Sequence, residues 1–131
     1  MIVADSSAQV AILHREPEAD AFLEIIASAD RSLLSAVSPP QTSMVLAARP
    51  GDASCWTELD ALIAQAGIEV VTQDAALTET ARAAFPRYGK GRDGAGLNFG
   101  DCAACALATS RDLPLLFKGN DFTRTDIEPA A

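Results

Sequence analysis

Apolar positions along this chain alternate between short unbroken runs and longer stretches with helical spacing. Met1 to Ala4 is a short apolar run and predicts a buried strand. It ends at Asp5-Ser6-Ser7, where either serine is a candidate cap for a helix over Ala8 to Leu13. His14-Arg15-Glu16 breaks that helix. Pro17 suits the first position of a second helix, Glu18 to Ser28, in which Ala21, Phe22, Ile25 and Ile26 recur at helical spacing. After a turn at Asp30-Arg31, Ser32 to Val37 predicts a second strand. Ser38-Pro39-Pro40-Gln41 then reads as a helix start. Serine is the cap, proline takes the first helical position, and glutamine falls where a capping box needs its reciprocal partner.

That helix is predicted to run to about Arg49 and to end at Pro50-Gly51-Asp52. Ser54 starts another, with Trp56, Leu59, Leu62 and Ile63 on one face and Gly67 as the stop. Ile68 to Val71 predicts a third strand. Asp74 to Phe85 predicts a helix with Asp74 as its cap and Pro86 as its end. Arg87 to Leu97 carries four glycines among polar residues and predicts a surface loop. It leads into an apolar helix that ends near Ser110. Leu115 to Phe117 predicts a fourth strand, and the tail a loop with one helical turn and a short strand at Ile127.

Strands alternating with helices imply an α/β fold. The expectation is one domain over residues 1–131, with three α/β/α layers around a mainly parallel sheet of four to five strands. In such sheets ligands bind beyond the carboxyl ends of the strands. Asp5 follows the first strand, Asp121 follows the fourth, and Asp101 lies in the first turn of the helix before that strand. One crevice can hold all three. Taken singly, each aspartate has an ordinary reading as a turn or capping residue. Together they form a hard oxygen set that suits Mg²⁺ or Mn²⁺. Such an ion can polarise a phosphoryl oxygen and activate water against a phosphodiester. Arg87, Lys90 and Arg92 in the glycine-rich loop, with Lys118 in a second loop, are the candidate contacts to backbone phosphates.

Composition narrows this picture. Of 131 residues 49% are hydrophobic but only 5% aromatic, so the core must be built from Ala, Leu, Ile and Val. No apolar run approaches the roughly 18 residues of a membrane span, and no basic stretch precedes a hydrophobic one as in a signal peptide. Three cysteines outside a secretory context point to reduced thiols in a cytoplasm. A net charge of −8 argues against binding nucleic acid by bulk attraction and leaves a local basic patch and a metal. Cys102 and Cys105 read as small core residues, since zinc would need two further ligands and only Cys55 and His14 remain. His14, beside Arg15-Glu16, reads as an exposed helix end. Trp56 and Phe22 fit buried helix faces or a partner groove.

The order of motifs resembles the PIN-domain ribonucleases, and among them the VapC toxins of bacterial toxin–antitoxin pairs. The resemblance is carried by Met1-Ile2-Val3-Ala4-Asp5-Ser6-Ser7-Ala8, Glu16-Pro17-Glu18-Ala19 and Leu34-Ser35-Ala36. It continues in Tyr88-Gly89-Lys90-Gly91-Arg92, Gly96-Leu97-Asn98-Phe99-Gly100-Asp101-Cys102, Leu115 to Phe122 and Thr125-Asp126-Ile127. It implies a metal-dependent endoribonuclease, held inactive by a VapB-like antitoxin and acting as a homodimer. It implies Asp5, Asp101 and Asp121 as metal ligands, Ser6 as a support for Asp5, and Asn98 near the site. Asp126 keeps a surface-loop reading. One position departs from the family, which usually has glutamate where this chain has Gln41. Glutamine offers a carbonyl oxygen or a hydrogen bond to a bound water, but neither charge nor a base. Three carboxylates then leave two divalent cations one charge short. The alternative function is an impaired nuclease that still binds its antitoxin. A phosphatase of the haloacid dehalogenase type would need an aspartate where Ser7 stands.

Overall fold

The computed structural model describes residues 1–48, 54–89 and 96–131, which form four strands and six helices. In chain order these are β1 (Ile2–Ala4), α1 (Ser6–Leu13), α2 (Ala19–Ser28), β2 (Ser32–Ser35), α3 (Ser38–Ala48) and α4 (Ser54–Gln65). They continue with β3 (Ile68–Val71), α5 (Ala75–Tyr88), α6 (Phe99–Arg111) and β4 (Leu115–Leu116). The strands are ordered β3-β2-β1-β4 and every pairing is parallel. Ala4 is opposite Leu34 on one side and Leu116 on the other, so the carboxyl ends of β1, β2 and β4 lie level.

The apolar runs explain the three layers. Successive strand residues point to opposite faces, so a strand covered on both sides has no polar alternation. Val3, Leu33 and Leu115 pack on one face, with Cys102, Cys105 and Leu107 of α6 and Leu77 of α5. Their neighbours Ile2, Leu34 and Leu116 pack on the other, with Ala8 and Ile12 of α1 and Phe22 and Ile26 of α2. Residues 100–108 of α6 are all buried, and seven of them are Gly, Ala or Cys. Small side chains let this helix sit against the sheet and α5 together. Cys102 and Cys105 are therefore core residues, as expected.

Several boundaries move for local reasons. Asp5, not a serine, caps α1, because its carboxylate accepts from the Ser7 N–H. Glu18 occupies the position before α2, so Pro17 lies outside that helix. Pro86 does not end α5. The helix continues to Tyr88, and Gly89 N–H bonds to the Phe85 carbonyl at 2.7 Å. A proline there removes one donor without blocking the last turn. Arg87 and Tyr88 are consequently helical rather than part of the loop. β2 is shorter than expected, because the Ser35 hydroxyl accepts from the Val37 N–H and turns the chain. The tail adds no helix. Glu128 and Ala130 instead bond to Leu115, so the short strand-like contact lies just beyond Ile127. Trp56 is half-exposed, its Nε1 donating to the Ser43 carbonyl at 3.0 Å, while Leu59 turns into the core.

The capping box predicted at Ser38-Gln41 is absent. Ser38 is the first residue of α3 and its buried hydroxyl has no partner. The Gln41 side chain is occupied by Ser6 instead.

Leu33 has no exposed surface and lies at the centre of the sheet. Leu33→Ala should lower unfolding stability by about 2–5 kcal/mol in urea titrations, the usual range for a leucine lost from a core. Leu23→Ala, at a site 39% exposed, should change it by less than about 0.5 kcal/mol.

Candidate metal centre

The parallel sheet sends the chain from β1 and from β4 onto the same edge. Asp5 N–H bonds to the Leu116 carbonyl at 2.9 Å, so the residue after β1 is tied to the last residue of β4. One step on, Lys118 N–H donates to the Ser7 hydroxyl at 3.0 Å. The amino end of α6 reaches the same place. The result is a cleft of about 400 Å³. Asp5, Asp101, Asp121, Gln41, Asn98 and Lys118 all line it.

Asp5 is 1% exposed. Its Oδ2 accepts from Ser7 Oγ at 2.6 Å and from Ser7 N at 3.0 Å. Its Oδ1 is buried and has no hydrogen-bond partner. Burial raises its pKa and the neighbouring Asp121 adds to that, against the lowering effect of the Ser7 bonds. Asp101 is held by a reciprocal capping box. Asn98 Oδ1 accepts from Asp101 N at 2.9 Å, and Asp101 Oδ2 accepts from Asn98 N at 3.1 Å. Its carboxyl is pushed up to about 7, first by burial and then by the charges of Asp5 and Asp121, despite the Asn98 N–H. Asp121 is exposed and closes the cleft from the β4 side.

These side chains fit a cation. A buried carboxylate oxygen without a donor is costly unless a ligand meets it, and Asp5 Oδ1 is one. Two buried carboxyls with raised pKa values, each facing the charge of Asp121, describe a pocket suited to a cation. Among the described residues no three His, Cys, Asp or Glu side chains are yet drawn into a set that could hold an ion.

Other expected residues fall differently. The support for Asp5 comes from the Ser7 side chain. The Ser6 hydroxyl goes to Gln41 Oε1 at 3.0 Å. Nothing but the position of Ser7 two residues after a capping aspartate signalled its role. Lys118 reaches the cleft, but its ammonium pairs with Glu16 and lies 3.3 Å from Glu18. The bond to Glu16 raises its pKa. It therefore knits the rim rather than standing free for a phosphate. Glu16 lines the cleft and was not foreseen. Arg87 lies elsewhere, over the Tyr88 ring at 4.7 Å and 4.0 Å from Asp126, beside a separate cavity of about 170 Å³. Asp126 also accepts from the Tyr88 hydroxyl at 3.0 Å. Lys90 and Arg92 lie outside the described residues, as does the Cys55 side chain.

The PIN domain family matches residues 2–128 of this chain. VapC ribonuclease Mb0640 of Mycobacterium bovis is 42% identical over 130 residues, covering 99% of this chain and 98% of that protein. Ribonuclease VapC of Mycolicibacterium smegmatis is 42% identical over 126 residues, covering 96% and 97%. The structure of Mycobacterium tuberculosis VapC20, a Sarcin-Ricin loop cleaving toxin, superposes with a TM-score of 0.79 at 18% identity, covering 97% of this chain and 96% of that one. A toxin–antitoxin complex from Klebsiella pneumoniae contains a chain that superposes at 0.72 with 17% identity, covering 100% and 98%. These two structures share the fold.

The raised carboxyls make stability depend on pH. Unfolded, Asp101 ionises near 3.8; folded, it keeps its proton to about 7. Between these values the folded state binds more protons, so stability falls as pH rises. Without divalent cations, the melting temperature should drop by several degrees from about pH 5 to about pH 8. Asp101→Asn should flatten much of that slope, and Asp5 should supply what remains. A melting temperature that rises across this interval would contradict the assignment.

Proposed function

Because the chain belongs to the PIN-domain family, as a toxin of the VapC type, we propose that it hydrolyses RNA phosphodiester bonds with a divalent ion held by Asp5, Asp101 and Asp121. The observation that carries this reading is the unpartnered Oδ1 of Asp5, buried at the base of a cleft that two further carboxylates line. The residues present suit Mg²⁺ or Mn²⁺, which take oxygen ligands and retain water. When bound, such an ion supplies Lewis-acid polarisation of a phosphoryl oxygen and a more acidic water.

The chain's own residues set the rest. Ser7 holds the Asp5 carboxylate from two donors, which leaves Oδ1 as its ligating atom. Asn98 fixes Asp101 through the capping box and leaves its Oδ1 for the cleft. Asp101 must release its proton for the site to fill, so ion affinity should rise with pH through about 7. A water oxygen forms a new P–O bond in line as the bond to the leaving oxygen breaks, and the proton the water gives up balances the one the leaving oxygen takes. Lys90 and Arg92 are assigned to flanking backbone phosphates. Arg87 has no place in this contact, and Lys118 contributes by holding Glu16 and Glu18 at the rim.

The partner is a cognate antitoxin, supported by the relatives' VapC names and by the toxin–antitoxin complex of the same fold. An arginine from such a partner would find three carboxylates lining one cleft and compete with the ion. A homodimer in the cytoplasm completes the reading. No helix among the described residues is long and apolar enough to cross a membrane. Gln41 favours a second reading, an antitoxin-binding module whose cleavage is lost.

Cleavage of single-stranded RNA by the antitoxin-free protein separates the two. Activity should require Mg²⁺ or Mn²⁺, vanish with chelator, and fall by more than about 100-fold in Asp5→Asn and Asp101→Asn. Loss of a supporting residue alone costs 10–100-fold at such sites. No cleavage by the parent protein at any divalent concentration would favour the binding module.

A further inference from the structure

Gln41 is a neutral side chain lining an acidic cleft, and a hydrogen bond orients its amide. The Ser6 hydroxyl donates to Gln41 Oε1 at 3.0 Å. The same amide lies flat on Gly100, in the first turn of α6. A methyl group built at Gly100 would come within 2.0 Å of Oε1, 2.3 Å of Cδ and 2.4 Å of Nε2. Any side chain at Gly100 would push the amide from this position. With the carbonyl end taken by Ser6, the amine end is the free end. Among the described residues Nε2 has no hydrogen-bond partner. It belongs to a cleft whose other central groups, Asp5, Asp101 and Asp121, only accept when ionised.

From this geometry, and resting on the RNA-hydrolase reading above, we propose that Gln41 is a phosphate-binding residue and not a metal ligand. Its Nε2 donates to a non-bridging oxygen of the scissile phosphate, and the centre holds a single divalent ion. The chemistry of the site favours this. Oε1 is the only amide atom that ligates a hard cation, and it is turned to Ser6. A phosphodiester entering beside three aspartates meets repulsion, which a neutral donor relieves and a fourth carboxylate would increase. One ion and three carboxylates leave a charge of −1, and a second ion would need an additional anionic ligand. Ser6 is then a positioning residue. Its hydroxyl keeps the amide from turning over and presenting its oxygen to the phosphate.

Calorimetric Mn²⁺ titration and steady-state cleavage of one RNA oligonucleotide test this in five proteins. The parent should bind one Mn²⁺. Gln41→Leu should bind one Mn²⁺ with unchanged affinity but show an RNA KM about tenfold higher, the size of one lost bond to a charged group. Gln41→Glu should bind two. Ser6→Ala, which leaves the amide in place but unfixed, should raise KM by a smaller factor with ion binding unaltered. Weaker Mn²⁺ binding in Gln41→Leu would make Gln41 a ligand and overturn the proposal. An RNA KM unchanged in both Gln41→Leu and Ser6→Ala would overturn it as well, as would two ions in the parent. Asp101→Asn distinguishes the deeper failure. If that variant binds Mn²⁺ and cleaves as the parent does, the metal-centre reading itself is wrong, whatever Gln41 does.

Discussion

Mutual repulsion among three carboxylates is the constraint around which this fold is arranged. Two of them, Asp5 and Asp101, are almost fully buried, and burial, with the charge of Asp121 beside each, holds both in the protonated direction. A fold of this size does not place two acids side by side in its interior without something that fixes them. The parallel sheet supplies part of that, because β1 and β4 are adjacent and end level. Helix ends supply the rest. Asp5 begins α1 and Asp101 sits in the first turn of α6, so each carboxylate meets backbone N–H groups where a helix leaves them unpaired.

The local bonds grade the three acids. Asp5 is held by two donors from Ser7 and keeps one oxygen unpartnered. Asp101 is locked by a capping box with Asn98. Asp121 is exposed, on a turn after β4. Two rigid groups and one adaptable one suit an ion that demands near-octahedral geometry but takes few protein ligands. Around them the lysine of the rim is already paired. Lys118 pairs with Glu16 and Glu18, so the basic residue nearest the centre does not compete for its carboxylates.

Much of this was legible in the sequence because it depends on local pattern. Strand runs, their buried both-face character and the aspartates at element ends all follow from period and position. Asp74 as a cap and the small-residue helix around Cys102 and Cys105 were legible for the same reason. What was not legible depends on contacts between distant segments. Gln41 satisfied a capping pattern with Ser38, yet Ser6, 35 residues earlier in the chain, takes its oxygen. Lys118 looked like a phosphate contact until Glu16 and Glu18 were placed beside it. Arg87 looked like a loop residue until α5 ran through Pro86 and carried it to Asp126. In each case a local rule was sound and a tertiary partner prevailed.

Thermal melting with and without Mg²⁺ or Mn²⁺, at a pH above about 8 where Asp101 is ionised, tests the central claim most directly. A ligand that binds only the folded state raises its stability by mass action. The account predicts that millimolar divalent ion raises the melting temperature by several degrees in the parent protein and has no effect in Asp101→Asn. It also predicts that the rise shrinks below about pH 6, as the carboxyl regains its proton. The same rise in both proteins would place the ion elsewhere, and no rise in the parent would contradict the carboxylate centre.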